Sequence, residues 1–234
     1  EEIVRILQKN YDLRTRYRGS MDMVKDADIV FTAGGDGTLL WAQKFIGPNI
    51  PVVGINSDPV RSHGALLFAT AQNLKEKLEI INKKSPDIIS RLEVLVNGIP
   101  VRSRILNDVL FCHKHPAAMS VFVSPKTDKA SEQVIKCSGI WISSAIGSTG
   151  AISSAGGSVQ DKRSSFFQSK VREPFGNSGK YFSRFFSREE EFTLLSKMRE
   201  GLLSFDGFRD SVGVEMGDKV TFRNSKETLS LYVK

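Results

Sequence analysis

The feature that most limits how this chain can fold is an apolar run that stops at a glycine-rich string. The run Asp28 to Thr32 reads Asp-Ile-Val-Phe-Thr, and Gly34-Gly35-Asp36-Gly37-Thr38 follows shortly after it. A short apolar run halted by glycines is typical of a buried strand that ends in a turn. Because good helix formers continue from Thr38 to Phe45, the sequence predicts a strand, a tight loop and a helix in succession.

The same order of elements then occurs again. Ile50 to Asn56 is a second apolar run, which predicts another buried strand, and Ala71 to Lys84 carries apolar residues at helical spacing. Strands that alternate with helices are joined by crossovers and form a parallel sheet. Residues 1–85 are therefore predicted to form an N-terminal α/β domain with a parallel sheet.

The rest of the chain, residues 86–234, has the pattern of a β-rich domain. Two strand-like runs, Ile88 to Val96 and Ile99 to Phe111, flank Asn97-Gly98, which is a strong hairpin signal. Further strand candidates are Met119 to Val123, Ile135 to Ser143, Gly201 to Phe205, and Lys219 to Val233 with a fold-back around Asn224-Ser225-Lys226. The sequence thus predicts a second domain that consists mainly of strands.

Composition narrows the functional classes. The 234 residues are 40% hydrophobic and 25% charged, as in a globular protein, and no apolar run approaches the roughly 20 residues of a membrane helix. The net charge of +7 favours phosphate-rich ligands, but Lys and Arg are scattered along the chain, which argues against nucleic acid as a partner. With only two cysteines, Cys112 and Cys137, we expect a reducing compartment, cytoplasmic or organellar (mitochondrial or peroxisomal) rather than extracellular.

The glycine-rich string has the residue types of a phosphate-handling loop. Gly34, Gly35 and Gly37 let the backbone turn tightly and approach a ligand, and unpaired N–H groups at the start of a helix suit phosphate. A carboxylate here would normally repel phosphate. Asp36 makes sense if it accepts a proton from an attacking hydroxyl or holds a metal ion. The alternative is an Asp-Gly turn that only links strand to helix.

A second string of small residues, Gly147-Ser148-Thr149-Gly150-Ala151, follows the strand-like run Gly139 to Ser143. Glycines and hydroxyl groups again indicate a loop that lies close to a ligand and begins a helix. The run of small residues continues to Gly157, so a flexible linker is an equally reasonable interpretation.

Two adjacent polar residues, Asn107 and Asp108, interrupt the apolar run Ile105 to Phe111. In a strand, one of them has to face the core side, and burying it without a partner costs a few kcal/mol. Ribose hydroxyls or amino groups of a ligand would supply such partners. A turn at the strand end or a solvated bulge is the alternative.

The three strings, in this order, resemble the NAD kinase family. That family carries a Gly-Gly-Asp-Gly-Thr loop, an Asn-Glu or Asn-Asp pair and a Gly-Ser-Thr loop, and a late Asp-Gly turn is matched at Asp206-Gly207. The likeness extends from about Asp28 to Val233. Ile55-Asn56-Ser57-Asp58-Pro59 and Val171-Arg172-Glu173-Pro174 are similar to plant-type NADH kinases and, more loosely, to mitochondrial NAD kinases.

The resemblance implies a fold and an activity. It implies an α/β domain and a β-sandwich-like domain with the site between them, in a homodimer or higher homo-oligomer. The enzyme would be a transferase that uses ATP with Mg²⁺ to phosphorylate the 2′-hydroxyl of the adenosine ribose of NAD or NADH. The first strand-helix-strand of the family's N-terminal domain is missing or shortened here.

The resemblance also carries over site residues. Asp36 would be catalytic, orienting or deprotonating the hydroxyl or helping to hold the metal; other metal ligands are not implied. The nucleotide-binding residues would be Gly34, Gly35, Gly37, Thr38, Arg61, Asn107, Asp108, Ser138, Thr149, Gly150, Ala151 and Ser154. Many bacterial members have an aromatic residue at the position of Ala151 and an Asp at that of Ser138, so the resemblance does not carry the base contacts of those members over to this chain.

Three other interpretations stay open. Lipid kinases of the diacylglycerol and sphingosine type also carry a Gly-Gly-Asp-Gly-Thr loop, but this class explains neither Asn107-Asp108 nor the Gly147 to Ala151 string. A catalytically silent NAD(P)-binding module is possible, although it would not need Asp36. Cys112-His113-Lys114-His115 has residue types that bind metals, and a polar strand end is the plainer interpretation.

Overall fold

The computed structural model describes residues 1–19, 22–101, 103–125, 132–176 and 184–234. The α-helices in these ranges are α1 (Glu2–Leu7), α2 (Asp36–Ala42), α3 (Leu74–Ile81) and α4 (Ala151–Ser154), and 3-10 helices span Gln43–Phe45 and Ile146–Thr149. The strands are β1 (Val30–Gly34), β2 (Val52–Asn56), β3 (Ala69–Thr70), β4 (Asp87–Ile89), β5 (Leu92–Val96), β6 (Ile99–Pro100), β7 (Asp108–His113), β8 (Ser120–Ser124), β9 (Gln133–Cys137), β10 (Gly139–Ser143), β11 (Phe167–Arg172), β12 (Arg184–Phe186), β13 (Phe192–Ser196), β14 (Gly201–Phe205), β15 (Ser211–Val214), β16 (Lys219–Asn224) and β17 (Leu229–Tyr232). None of the helices in the described ranges is long and apolar enough to span a lipid bilayer.

The chain forms two compact units. The first consists of Glu1–Ile89 together with Glu227–Lys234, and the second of Ser90–Lys226. The predicted boundary between residues 85 and 86 precedes this division, and residues 227–234, which were expected in the second domain, join the first unit. They do so because β17 pairs with β2 in parallel and with β4 in antiparallel orientation, so it completes the first unit's sheet.

The first unit has the predicted α/β architecture. Strands β1, β3 and β17 run parallel to β2, and the sheet order is β1-β2-β17-β4 with β3 also on β2. Strand β2 is buried along its whole length, and α3 packs against the sheet through its apolar face. The register pairs Gly34 with Asn56, so the carboxyl ends of β1 and β2 lie side by side and their loops leave the sheet together.

The second unit is a sandwich of antiparallel sheets, which confirms the predicted β-rich domain. In the described residues the sheet orders are β12-β11-β10-β7-β14-β15 and β6-β5-β16-β13-β8-β9. Their apolar faces share one core. The ring of Phe111 on β7 lies 4.6 Å from that of Phe122 on β8 and 6.3 Å from that of Phe222 on β16.

Several predicted strands are divided in the structure. The expected run Ile135 to Ser143 consists of β9, which pairs with β8, and β10, which pairs with β7 in the other sheet. Gly139 makes the change of sheet possible, because its φ of +136° is rare for other residues and a Cβ there would lie 2.8 Å from the Cβ of Cys112. The hairpin at Asn97-Gly98 is confirmed, but the run after it breaks between β6 and β7.

The sandwich core yields a stability prediction. We expect Phe111→Ala to lower the free energy of unfolding by about 3–5 kcal/mol, because it removes a fully buried ring that contacts aromatic residues of the opposite sheet. Urea unfolding measures the change. The control is Phe208→Ala, in which the lost ring is 82% exposed, and we expect a change within about 0.5 kcal/mol. Equal losses in the two variants would contradict this assignment of the core.

Candidate functional site

The glycine-rich loop of the first unit joins β1 directly to α2. Strand β1 ends at Gly34 and α2 begins at Asp36, with Gly35 as an extended linker (φ −89°, ψ −179°). The side chain of Thr38 folds back over Gly34, where an added Cβ would lie 2.7 Å from the Cβ of Thr38. Only glycine leaves this space, so Gly34 is required for the tight turn whatever the loop binds, whereas a Cβ at Gly37 would contact nothing within 4 Å.

The carboxylate of Asp36 is held by backbone amides from a later segment of the first unit. The N–H of Ala65 donates to Oδ2 at 2.9 Å, and the N–H of Leu66 donates to Oδ1 at 2.8 Å. The side chain is half-buried, and each carboxylate oxygen keeps a further lone pair. Asp36 is therefore fixed in orientation and can still accept another hydrogen bond or contact a cation.

The loop that follows β2 lies against the glycine-rich loop. Asn56 organises it, since its Nδ2 donates to the Ser62 carbonyl at 2.9 Å and its Oδ1 accepts from the Asp58 N–H at 3.1 Å. Ser62 in turn covers Gly35, where an added Cβ would lie 3.0 Å from the Ser62 Oγ. Neither Asn56 nor Ser62 was among the predicted site residues. The position of Asn56 at the end of the strand next to β1 was the signal that could have identified it.

Arg61 lies on the same loop, and its side chain extends into solvent. Its side chain is 88% exposed, its Nε lies 3.9 Å from the Asp58 carboxylate, and its N–H donates to Asp58 Oδ1 at 3.2 Å. An exposed pair of this kind leaves the guanidinium able to move to another anion. A phosphate contact by Arg61 stays a prediction.

In the second unit, the carboxylate of Asp206 binds the backbone of the Asn107-Asp108 pair. Asp206 accepts hydrogen bonds from the N–H groups of Leu106 (3.0 Å), Asn107 (2.7 Å) and Asp108 (3.2 Å). The Asp206 N–H returns a bond to the Asp108 carbonyl at 3.0 Å. Asp206 has a φ of +49°, which is unusual outside glycine, and it precedes Gly207 in the turn after β14. The Asp-Gly turn thus fixes the backbone of the Asn-Asp pair.

The Gly147 to Ala151 string packs directly on that pair. An added Cβ at Gly147 would lie 2.6 Å from the carbonyl carbon of Asn107, and one at Gly150 would lie 3.3 Å from Asn107 Nδ2 and 3.6 Å from Asp108 Oδ2. Ser144 anchors the approach, since its N–H donates to the Asn107 carbonyl at 3.0 Å. The structure therefore brings two of the three predicted strings together and excludes the flexible-linker interpretation of the second.

Asp108 is buried and Asn107 half-buried, and the hydrogen-bonding groups of the pair are incompletely satisfied. Asp108 is only 7% exposed. Its burial, and to a smaller extent the negative charge of Asp206, raise its pKa to about 7. The Oδ1 atom of Asn107 is buried, and no donor among the described residues reaches it. Buried acceptors in native proteins are nearly always paired, so this atom is suited to a donor from a bound molecule.

The remaining predicted binding residues surround this cluster to different degrees. Thr149 and Ser154 are exposed, and Ala151, which begins α4, is half-buried. Ser138 lies at the turn between β9 and β10, where its N–H donates to the Arg172 carbonyl at 3.1 Å. Ser138 is thereby joined to β11.

The structure gives no support to a metal centre around Cys112. The N–H of His115 donates to Nδ1 of His113 at 3.0 Å, and Nε2 of His115 lies 3.3 Å from the Glu200 carboxylate. Within the described ranges, no group of three or more His, Cys, Asp and Glu side chains is placed to hold a metal ion. The segment at the end of β7 thus matches the plainer interpretation of a polar strand end.

Solved structures of similar shape share this fold. An NAD kinase from Archaeoglobus fulgidus in complex with ATP matches with a TM-score of 0.70 and 24% identity, covering 86% of this chain and 76% of the other. Yeast NADH kinase complexed with NADH matches with a TM-score of 0.76 and 19% identity, covering 89% of this chain and 62% of the other. At these identities the likeness establishes the fold alone.

Sequence comparison identifies the family. Residues 3–85 match the ATP-NAD kinase N-terminal domain. A probable NADH kinase from Oryza sativa subsp. japonica is 31% identical over 249 residues, covering 96% of this chain and 77% of the rice protein. The NADH kinase of Arabidopsis thaliana is 31% identical over 234 residues, covering 90% of this chain and 74% of its own length. With relatives of this identity matched over most of their length, the chain belongs to the NAD kinase family.

Proposed function

We propose that this protein transfers the γ-phosphoryl group of ATP to the 2′-hydroxyl of the adenosine ribose of NAD or NADH, giving NADP or NADPH. The relatives support these substrates, because the rice and Arabidopsis proteins are named as NADH kinases. The solved structures of two family members hold ATP in one case and NADH in the other. These relatives are dinucleotide kinases and not lipid kinases, which argues against the lipid-kinase alternative.

The observation that carries the proposal is the Asn107-Asp108 pair, with its buried Asn107 Oδ1 atom and its buried Asp108 side chain. The Asn107 Oδ1 atom has no donor among the described residues, and the Asp108 carboxyl group has a raised pKa, so burying both groups without a ligand costs free energy. Both groups can form hydrogen bonds with the amino and hydroxyl groups of a ligand. The adenosine portion of a dinucleotide offers both kinds of group. Asn107 and Asp108 would therefore bind adenosine, and the second unit would be the dinucleotide-binding domain.

Asp36 is the residue that we assign to the chemistry. Its carboxylate would orient the 2′-hydroxyl and accept its proton as the oxygen attacks the γ-phosphorus. Phosphoryl transfer depends mainly on positioning and on neutralising charge, so a carboxylate fixed by the Ala65 and Leu66 amides is well suited. The three glycines of the loop and Thr38 would contact the ATP phosphates, with Arg61 as a mobile cation beside them.

The oxygen donors of Asp36 also suit a divalent cation. Mg²⁺ in kinases is usually held by one or two carboxylates together with substrate phosphates, and the lone pairs that Asp36 keeps can serve this purpose. When bound with ATP, Mg²⁺ neutralises the negative charge that develops on the phosphate oxygens.

The other predicted residues complete the dinucleotide site in this proposal. Gly150 packs closely on Asn107 and Asp108, and Thr149, Ala151, Ser138 and Ser154 would line the dinucleotide site around them. We further propose a homodimer or higher homo-oligomer in the cytoplasm or an organelle. The free thiols of both cysteines are consistent with a reducing compartment.

The role of Asp36 gives the first activity prediction. We expect Asp36→Asn to lower kcat by about 10²- to 10⁴-fold, because the amide cannot accept the hydroxyl proton. The measurement is formation of NADP(H) by purified protein from ATP, Mg²⁺ and either NAD⁺ or NADH. Since an amide also loses one of the two backbone bonds to Ala65 and Leu66, the thermal unfolding temperature of the variant is measured in parallel.

The matched control for this variant is Asp26→Asn in the same unit. Asp26 is an exposed carboxylate paired with Arg14 at 3.0 Å, so its loss removes the same charge far from the proposed chemistry, and we expect full activity. Full kinase activity in a folded Asp36→Asn variant would refute the catalytic role of Asp36. An unmodified protein that binds NADP but forms no product would favour the silent-module alternative.

The raised pKa of Asp108 gives a prediction about stability. The folded protein binds the Asp108 proton more tightly than the unfolded chain does, so the associated stability is complete below about pH 4 and is lost as the pH rises to about 7. Asp108→Asn removes this dependence. We expect the unfolding free energy of the variant, relative to that of the unmodified protein, to be about 1–3 kcal/mol higher at pH 8 than at pH 5.

Urea unfolding of both proteins at the two pH values tests this without ligand. Because the other titratable groups are common to the two proteins, their contributions cancel in the difference. A difference that is the same at pH 5 and pH 8 would contradict the raised pKa.

A further inference from the structure

The second unit holds a cavity of about 390 Å³ beside strand β11. Its walls are Ser154 and Ala155 at the end of α4 on one side and the run Lys170 to Pro174 on the other. Lys170 and Arg172 are alternate residues of β11, so their side chains leave the same face of the strand. The cavity therefore has a wall of small residues facing a wall with two cations.

Lys170 lacks a counter-ion within the part of the chain that the structure describes. Its side chain is half-buried and lies next to Gly156. No carboxylate of the described residues pairs with it. An added Cβ at Gly156 would lie 3.6 Å from the Lys170 Nζ, so the ammonium group lies beside the backbone of Gly156, and Lys170 itself lines the cavity. A half-buried ammonium with no counter-ion among the described residues is available to an anionic ligand.

Arg172, the second cation of the cavity wall, has two partners. Its Cζ lies 6.0 Å from the centre of the Trp141 ring, and its Nε lies 3.6 Å from the carboxylate of Glu173. A guanidinium over an aromatic ring keeps its in-plane N–H donors for an anion. Because Glu173 offsets part of the charge of Arg172, Lys170 supplies most of the net positive charge of the cavity.

Two residues that we propose to bind the dinucleotide lie at the cavity or contact its wall. Ser154 forms part of its wall, and Ser138 donates its N–H to the Arg172 carbonyl. Of the parts of NAD(H), adenosine is uncharged and the nicotinamide ring is neutral or positive. Only the pyrophosphate, with two negative charges, matches two cations.

We propose that Lys170, assisted by Arg172, binds the pyrophosphate of the dinucleotide in this cavity. The proposal rests on the dinucleotide-binding role of the second unit proposed above and assigns the anionic part of the ligand. No described carboxylate besides Glu173 lines the cavity, so the field there favours an anion. Lys170 would therefore determine affinity for the dinucleotide and leave affinity for ATP unchanged.

The test is Lys170→Met, which keeps an unbranched side chain only one heavy atom shorter and removes the charge. We expect the KM for NAD(H) and the Kd for NADP⁺, measured by calorimetry, to rise roughly 10- to 100-fold, the loss expected for one charge-assisted hydrogen bond. The KM for ATP should stay unchanged. Lys170→Arg, which restores a cation, should recover most of the affinity. The control is Lys197→Met, an exposed lysine of the same unit, which should match the unmodified protein.

Fragment binding separates a charge contact from a damaged cavity. Calorimetry with ADP-ribose, which carries the pyrophosphate, should show the same loss in Lys170→Met, whereas binding of adenosine, which lacks it, should not change. An equal loss for adenosine would overturn the proposal, and so would unchanged affinity for both fragments. A rise in the KM for ATP alone would assign the cavity to the donor phosphates instead.

These binding measurements do not depend on turnover. If the unmodified protein binds NADP⁺ and ADP-ribose but makes no product, the kinase proposal fails while the pyrophosphate contact is still measured. If the unmodified protein binds neither molecule, the pyrophosphate contact is refuted.

Discussion

Three consecutive backbone amides, from Leu106 to Asp108, donate to the single carboxylate of Asp206. A hydrogen bond to a charged group contributes about 1.5–3 kcal/mol, so the three together hold this short segment in one conformation. The consequence extends beyond the segment, because Gly147 packs on the Asn107 backbone and the Gly147 to Ala151 string depends on it. The same carboxylate also places a negative charge beside Asp108 and thereby helps to raise its pKa.

The first unit uses the same physical device at Asp36. Its carboxylate takes the amides of Ala65 and Leu66 and so ties the loop after β2 to the glycine-rich loop. In both units a carboxylate joins two segments that are distant in sequence and orients polar groups near a loop rich in glycine. Asp36 is consequently both a structural anchor and the proposed base, which is why its substitution has to be judged by unfolding temperature as well as by rate.

Local pattern was sufficient for the elements whose geometry is set within a few residues. The turn between β1 and α2 needs a residue without a Cβ at Gly34, where the side chain of Thr38 packs closely, and the hairpin at Asn97-Gly98 needs the positive φ values that these two residues adopt. The hydrophobic pattern predicted one strand from Ile135 to Ser143, where the structure has two. The alternation of apolar residues carries no information about the sheet that each half joins. Gly139, with its positive φ, divides the run, and a single glycine within a strand is a weak signal.

The sequence by itself determined the family, the order of its strings and the α/β and β-rich character of the two parts. The identities of Asp36, Asn107 and Asp108 as site candidates also came from residue type and order alone. Tertiary structure decided which amides Asp36 and Asp206 bind, that β17 returns to the first unit, and that Lys170 lies uncompensated beside Arg172. These features arise from contacts between residues far apart in the chain, and such contacts depend on how strands pair and not on the spacing of residues along any one of them.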